Sequence, residues 1–169
     1  MLTVVIETRN DEEGLARTLA SLVGGAVEGT VRDVIVCDRG STDQTHYVAE
    51  HAGCVYLGEG GLAAAIRHAR ADWLLILEPG ARLADGWTEP VMNHAVQSSL
   101  PARFARARGD GFPFLKRIFA RRRPLEEGLV ITKRQALSLA QKGDGAEALA
   151  RGLATKKLPA EIFVAPPKA

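Results

Sequence analysis

Apolar runs and stretches of helical spacing alternate through the first half of the chain. The four runs that predict strands are Thr3–Glu7, Val31–Cys37, Cys54–Leu57 and Trp73–Leu77. Each run is short, rich in apolar or β-branched residues and bounded by polar or glycine-containing segments, as expected for buried strands. Because helical stretches separate them, right-handed crossovers would place these strands in a parallel sheet with helices on both faces. The pattern therefore predicts an α/β fold.

Capping residues and glycines predict the helix boundaries. Asn10 or Asp11 can cap the first helix, and Gly24-Gly25 is expected to end it. Ser41 and Gln44 have the spacing of a capping box, so a second helix is expected to begin at Ser41. Further helices are predicted over residues 61–70, Trp87–Gln97, Arg134–Gln141 and Gly145–Ala154, and further strands over Gly128–Thr132 and, as an edge strand, Glu161–Val164.

Length and composition favour one domain over residues 1–169. With 46% apolar and 25% charged residues, the chain has the composition of a globular protein. It shows no basic leader and no apolar run of the roughly 18 residues that span a bilayer. Cys37 and Cys54 are isolated from each other, so both are expected to be buried thiols. These features predict a cytoplasmic protein.

The net charge of +2 conceals a strong asymmetry between the two halves. Residues 1–100 carry 7 Lys/Arg against 14 Asp/Glu, a net charge of −7, whereas residues 101–169 carry 15 against 6, a net charge of +9. Two interpretations remain open. Either the second half contacts an anionic partner, such as phosphate, phospholipid or nucleic acid, or the halves neutralise each other across the fold.

The positive charge is concentrated between residues 103 and 123. This basic segment carries Arg103, Arg106, Arg108, Lys116, Arg117, Arg121, Arg122 and Arg123, interleaved with Phe104, Phe112, Phe114, Ile118 and Phe119. It could serve a membrane surface or nucleic acid, form a cationic lid over a pyrophosphate, or be a solvated face with inward phenylalanines. A nucleic-acid role that depends on this segment alone is the weakest of these.

Two carboxylates end predicted strands, Asp38 after the second and Glu78 after the fourth. In an open α/β sheet, ligands bind outside the carboxyl ends of the strands, and the amides of the Gly40–Asp43 turn are expected there as well. Both acids are therefore candidates for ligand contacts. The alternative is an ordinary strand-turn-helix connection in which Asp38 and Asp43 are solvated.

Three segments together resemble the family 2 glycosyltransferases, inverting enzymes of the GT-A fold that use nucleotide sugars. The segment VVIETRNDEEGLARTLASL is similar to the family's opening strand, T-x-N loop and first helix. VIVCDRGSTDQT resembles its D-x-G-S-x-D signature, and ARADWLLILEPGARLADGW resembles the approach to its metal-binding D-x-D. The resemblance covers about residues 2–90. It implies a three-layer GT-A sandwich with a mostly parallel sheet, residues 1–100 binding nucleotide and residues 101–169 forming a short acceptor half.

The resemblance also implies roles for individual residues. The nucleotide would contact Thr8, Asn10, Asp38, Gly40 and Ser41. Glu78, at the first acidic position of the D-x-D, would bind Mg²⁺ or Mn²⁺. Asp144 or Glu147 would be the catalytic base. Arg121, Arg122 and Arg123 would contact the diphosphate or an anionic surface. The acceptor is unspecified, with a lipid-linked acceptor and peripheral contact with the inner face of a membrane as expectations.

The chain departs from the family pattern at three points. Glu7 replaces the usual proline after the first strand, Gly80 replaces the second D-x-D acid, and Gly145-Ala146 replaces the late acidic pair. Three functions are therefore compared. The first is inverting sugar transfer from a nucleotide-diphosphate donor, and the second is a nucleotide-binding module of the same fold without catalysis. The third, a Rossmann-type enzyme, ranks last because no glycine fingerprint follows the first strand.

Overall fold

The computed structural model describes residues 1–109, 121–140 and 145–167. Through residue 97 the elements are β1 (Leu2–Thr8), α1 (Glu12–Val27), β2 (Val31–Asp38), α2 (Thr45–His51), β3 (Val55–Leu57), α3 (Gly61–His68), β4 (Trp73–Leu77), β5 (Arg82–Leu83) and α4 (Thr88–Gln97). The described part of the second half contains β6 (Ala102–Arg106), β7 (Leu129–Thr132), α5 (Lys133–Ala140), α6 (Ala146–Ala150) and β8 (Lys156–Phe163).

These strands form one mixed sheet in the order β3-β2-β1-β4-β7-β6-β8-β5. The pairs β3–β2, β2–β1, β1–β4 and β6–β8 are parallel, and β4–β7, β7–β6 and β8–β5 are antiparallel. The predicted parallel arrangement of the first four strands is confirmed. Because β1 and β4 lie inside the sheet with helices over both faces, their central residues form continuous apolar runs rather than an alternating pattern.

Each face of the sheet has its own hydrophobic core. On one face Val4, Ile6, Leu75 and Leu77 pack with apolar residues of α1 and α4. The intervening residues of the same strands, such as Val5, Leu74 and Ile76, point to the opposite face and pack with residues of α3, α5 and α6. The predicted three-layer architecture is therefore confirmed.

Helix α1 begins as expected but does not end at Gly24-Gly25. The Asp11 side chain accepts a hydrogen bond from the Gly14 N–H at 3.0 Å, which caps the first turn. The helix continues to Val27, and Gly25 has a packing role within it: a Cβ added there would lie 2.6 Å from Cζ2 of Trp87. The glycine thus allows α1 to approach the buried Trp87 ring closely.

The prediction that the second helix begins at Ser41 with a capping box is wrong. Helix α2 begins at Thr45, and its N-cap residue Gln44 makes no side-chain capping bond. Instead, Asp43 accepts the Thr45 N–H at 3.1 Å and the Thr45 hydroxyl at 2.5 Å. The Ser41 hydroxyl is unavailable as a cap because it donates to Asp38 and accepts the Asn10 N–H.

In the second half, strands β5 and β6 were not predicted from the sequence. The late strand is longer than expected, and it lies inside the sheet between β6 and β5 rather than at an edge. Part of the basic segment is structural: Arg103 forms an ion pair with Glu127, and Arg106 with Glu126 at 2.7 Å, while Phe104 is fully buried. Phe104 thus points inward, as one of the interpretations expects, whereas Arg103 and Arg106 are paired with glutamates instead of forming a solvated face. Residues 110–120 lie outside the described residues.

Both cysteines are free thiols, Cys37 buried and Cys54 half-buried. Within the described ranges, none of the helices combines the length and the hydropathy that a membrane span requires.

Candidate functional site

The carboxyl ends of β1, β2 and β4 meet at one edge of the sheet. Strand β1 pairs in register with both neighbours, Thr8 opposite Asp38 and Ile6 opposite Leu77. Glu78 follows Leu77 directly, so the two carboxylates singled out from the sequence lie at this edge together with Glu7 and Thr8. The candidate site is built on these strand ends.

Asp38 is held by a dense set of donors. Its Oδ2 accepts the Ser41 N–H at 2.9 Å and the Tyr56 hydroxyl at 2.7 Å, and its Oδ1 accepts the Ser41 hydroxyl. Burial opposes ionisation of this carboxyl, but the hydrogen bonds from Ser41 and Tyr56 outweigh it and lower its pKa. Asp38 is therefore a fixed carboxylate that can accept a further hydrogen bond at Oδ1.

The loops after β1 and β2 are joined by reciprocal hydrogen bonds. Asn10, whose φ of 48° is left-handed, accepts the Thr42 N–H at 2.6 Å through Oδ1, and its own N–H donates to Ser41. Glu12 accepts the Gln44 N–H at 2.7 Å, while Asp43 accepts the Glu12 N–H at 3.2 Å. These long-range bonds hold the loop containing Gly40 and Ser41 in one position against the loop after β1.

A central cavity of about 340 Å³ opens between these strand ends and the second half of the chain. Its charged lining comprises three acids and three bases, Glu7, Glu78, Glu147, Arg9, Arg39 and Arg123. Thr8 also lines it and is 3% exposed, yet its hydroxyl has no hydrogen bond partner among the described residues. A buried hydroxyl without a partner at a cavity wall is a group that a bound ligand could satisfy.

Glu7 connects β1 to the start of α6. Its carboxylate lies 3.7 Å from Nη1 of Arg39, and its Oε1 accepts the Ala146 N–H at 3.4 Å. A Cβ at Gly145 would lie 2.9 Å from the same oxygen, so the chain passes close to Glu7 here. The residue that replaces the family's proline therefore positions α6, and with it Glu147, against the first half of the fold.

Glu78 is bound by Arg123 through two parallel hydrogen bonds. Nε and Nη2 of Arg123 donate to Oε1 and Oε2 of Glu78, each at 3.0 Å, and Nη2 also donates to the Ala165 carbonyl at 2.9 Å. Such a bidentate pair combines strength with a fixed geometry. Arg123 is therefore placed at the strand end, as a partner of the acid that the sequence suggested for metal binding.

Glu147 is the second carboxyl group next to Glu78. Both side chains line the central cavity, so two carboxyl groups lie close together there. Burial raises the pKa of Glu78 to about 7, the Glu147 carboxyl adds to the rise, and Arg123 opposes it. The Leu125 N–H donates to Oε2 of Glu147 at 3.4 Å. Two adjacent carboxyl groups in unequal environments are an arrangement suited to acid-base chemistry.

The residues around Glu78 do not fit a divalent metal ion. Both Glu78 oxygens accept from Arg123, and within the described ranges no group of three or more His, Cys, Asp or Glu side chains could hold a metal. Mg²⁺ and Mn²⁺ need several oxygen ligands, whereas the carboxylates at this position are Glu78, which is paired with Arg123, and Glu147, which accepts the Leu125 N–H.

The structure thus brings together Thr8, Glu78, Arg123 and Glu147 around the central cavity. Asn10, Asp38, Gly40 and Ser41 lie in the adjacent loops, Arg121 and Arg122 are exposed, and Asp144 lies outside the described residues. The sequence interpretation missed Arg9, Arg39 and Tyr56 as site residues. The first two directly follow the ends of β1 and β2, a position that could have indicated them; Tyr56 required the pairing of β3 with β2.

A larger cavity of about 650 Å³ lies between α1 and α2. Its walls are mostly aliphatic, with Tyr47 and His51 as the polar side chains, and none of the carboxylates discussed above reaches it. The chemistry-bearing side chains converge on the smaller central cavity, so the candidate site is placed there.

The Glycosyl transferase family 2 model matches residues 3–142. Comparison with curated protein sequences gives no significant match.

Three solved structures of glucosyl-3-phosphoglycerate synthase from Mycobacterium tuberculosis are similar to this chain. The complex with Mn²⁺, UDP and glucosyl-3-phosphoglycerate has 16% identity and a TM-score of 0.65, and the match covers 100% of this chain and 72% of that one. The complex with Mn²⁺ and UDP-glucose has 16% identity and a TM-score of 0.68, with 100% and 71% covered.

The complex of the same enzyme with UDP has 17% identity and a TM-score of 0.59, and the match covers 82% of this chain. In that comparison the chain spans 59% of the length of the enzyme. At these identities the likeness establishes the fold.

Proposed function

Because this chain belongs to glycosyl transferase family 2, we propose that it transfers a sugar from a nucleotide-diphosphate donor to an acceptor hydroxyl with inversion. The observation that carries the proposal is the central cavity, where Glu78 and Glu147 lie side by side among arginines at the strand ends. The arrangement supplies a candidate base and positive charge in one place, as transfer with a diphosphate leaving group requires.

In this proposal the donor lies across the carboxyl ends of β1 and β2. The Asp38 carboxylate, fixed by Ser41 and Tyr56, accepts an N–H of the base. The Thr8 hydroxyl, which has no partner in the described part of the chain, contacts the nucleotide. Asn10, Gly40 and Ser41 shape the adjacent wall. Residues 1–100 would then bind the nucleotide and residues 101–169 the acceptor. The similar enzyme binds UDP and UDP-glucose, which makes uridine nucleotides the first donors to test.

The proposed base is Glu147. Burial raises the pKa of Glu78 and so favours its protonated form, which leaves the neighbouring Glu147 carboxylate as the group placed to take the proton of the acceptor hydroxyl. The acceptor oxygen then forms a bond to the anomeric carbon while the bond from that carbon to the diphosphate oxygen breaks. The nucleoside diphosphate leaves with the electron pair. Inversion follows because attack and departure take place on opposite faces of the sugar.

Replacing Glu147 tests this assignment. We expect Glu147→Gln to lose at least a hundredfold in turnover of the accepted donor, since general-base catalysis typically contributes 10²–10⁴-fold, while UDP binding by calorimetry stays unchanged. Release of UDP from UDP-glucose, with and without a panel of hydroxyl acceptors, is the first assay; GDP release from GDP-sugars is the second. A Glu147→Gln variant as active as wild type would remove Glu147 from the mechanism.

A second candidate function is a nucleotide-binding module without catalysis. The bidentate pairing of Glu78 with Arg123 favours it, because this acid is committed to an internal partner. Such a protein would bind UDP or GDP yet release no nucleotide from any donor in the same assay.

The acceptor class remains a proposal that derives from the charge distribution. Arg121 and Arg122 are exposed beside the central cavity residue Arg123, and they could hold an anionic surface that presents a lipid-linked acceptor. We therefore propose peripheral contact with the inner face of a membrane, with no role in nucleic-acid binding.

A further inference from the structure

We infer that Arg123 supplies the positive charge that a divalent cation would otherwise supply, so that this site binds the diphosphate of a nucleotide without a metal ion. The inference rests on the proposed function, since it concerns the same donor site. Both carboxylate oxygens of Glu78 accept hydrogen bonds from Arg123 at 3.0 Å. A metal ion could reach these oxygens only by displacing the guanidinium.

The position of the second D-x-D acid holds Gly80, which has no carboxylate, and the surrounding chain leaves little space for a side chain there. Gly80 has a φ of 94°, a left-handed conformation that favours glycine. A Cβ at this position would lie 3.2 Å from Cβ of Ala165 and 3.4 Å from Cδ of Pro166. The Gly80 N–H is fixed by the Thr18 hydroxyl at 2.9 Å. An aspartate could therefore not be added here without moving the C-terminal segment.

The same C-terminal segment holds Arg123. Its Nη2 donates to the Ala165 carbonyl at 2.9 Å in addition to Glu78, so the guanidinium is fixed from two separate parts of the chain. Its other terminal nitrogen, Nη1, has no hydrogen bond to any described residue and keeps two N–H donors available. Arginine in this state is well suited to phosphate oxygens, which accept paired, charge-assisted hydrogen bonds.

Each of the three carboxylates that line the cavity already has an internal partner: Arg39 for Glu7, Arg123 for Glu78 and the Leu125 N–H for Glu147. Arg9 and Arg39 line the wall together with Arg123, so an incoming divalent cation would face three guanidinium groups. A diphosphate would meet three cations instead. The Arg39 side chain is 57% exposed, which leaves it free to turn towards a bound anion. Because its acids are engaged internally, the cavity presents guanidinium N–H groups to a ligand at the place where a metal-dependent site would hold a cation.

The inference is tested by titrating the protein calorimetrically with UDP, with GDP as a second probe, in EDTA and in excess Mn²⁺. We expect the wild-type Kd to agree within about twofold in the two conditions. Arg123→Gln should weaken UDP binding by about tenfold or more in both, since charge-assisted hydrogen bonds are lost. Uridine, which has no phosphate, should bind the variant as it binds wild type.

Two further variants control for folding and for charge. Arg17→Gln removes an arginine that is also paired with a glutamate, Glu13 at 3.3 Å, but lies on α1 away from the cavity; it should bind UDP like wild type. Arg123→Lys keeps the charge without the planar fork and should bind with intermediate affinity. Circular dichroism checks that each variant is folded. Electron paramagnetic resonance of Mn²⁺ should show no more bound Mn²⁺ in the mixture of protein and UDP than in a solution of UDP alone.

The outcomes separate the two proposals. UDP binding that disappears in EDTA and returns with Mn²⁺ would overturn the metal-free site and leave the proposed function in place. A folded Arg123→Gln variant with wild-type UDP affinity would overturn it as well. If wild type binds neither UDP nor GDP in either condition, the proposed function itself fails and the inference fails with it.

Discussion

The elevated pKa of Glu78 makes a quantitative prediction about stability. Its side chain is 11% exposed, and burial, reinforced by Glu147 and opposed by Arg123, raises its pKa from 4.5 to about 7. The folded protein therefore holds a proton that the unfolded chain releases from about pH 4.5 upward. The contribution of this proton to the free energy of unfolding is complete below the pKa of Glu78 in the unfolded chain, and it is lost as the pH rises through the pKa of Glu78 in the folded protein. At about 1.4 kcal/mol per pKa unit, the loss is about 3 kcal/mol.

Glu78→Gln removes the titration while keeping a side chain of the same size that can donate a hydrogen bond. We expect wild type and variant to have similar free energies of unfolding near pH 5. Towards pH 8 the free energy of unfolding of the variant should exceed that of wild type by up to about 3 kcal/mol. Urea unfolding followed by circular dichroism, at several values between pH 5 and 8, measures this difference. The Asp38 and Asp43 carboxyls do not enter this window because their pKa values are lowered.

One alternative gives a different result and would refute the reasoning. If the bidentate bonds from Arg123 keep Glu78 ionised in the folded protein, wild type would show no special loss between pH 5 and 8. Glu78→Gln would then be destabilised by a similar amount at every pH, because Arg123 would lose a charged partner throughout.

Two further expectations concern packing and the basic surface. Gly25→Ala should destabilise the fold by about 1–3 kcal/mol, because the new Cβ would lie 2.6 Å from Trp87. Gly24→Ala is the control: nothing lies within 4 Å of its new Cβ, so it should be neutral or stabilising by up to about 1 kcal/mol. Equal shifts in the melting temperature of the two variants would contradict the packing role of Gly25. The protein should co-sediment with anionic but not neutral liposomes, and Arg121→Gln/Arg122→Gln should reduce the bound fraction; equal recovery on both liposome types would argue against membrane contact.

The hydrophobic pattern was sufficient for the first half of the fold because its strands and helices are local and strongly patterned. The four predicted strands through residue 77 correspond to β1, β2, β3 and β4, and their parallel pairing follows from the helices between them. Helix boundaries were predicted less well where a side chain has a distant partner. Ser41 looked like a cap, but Asp38 and Asn10 use its hydroxyl, and Gly25 looked like a helix end, but Trp87 requires it.

The second half was harder to predict because its strands depend on partners far along the chain. Ala102–Arg106 is not a distinctive strand sequence, and it forms β6 because β7 and β8 lie beside it. The sequence also could not distinguish free arginines from paired ones. Arg103 and Arg106 are paired with Glu127 and Glu126, whereas Arg121 and Arg122 are exposed.

For the candidate site, the sequence by itself determined the two strand-end carboxylates, because strand ends of a parallel sheet share one edge. Only the tertiary structure decided what surrounds Glu78. Arg123, 45 residues away, and Glu147 reach it from the second half, and the C-terminal segment closes over Gly80. Whether a carboxylate is available for a metal or bound to a guanidinium depends on distances of a few ångströms between segments remote in sequence. Residue type and spacing carry no record of those distances.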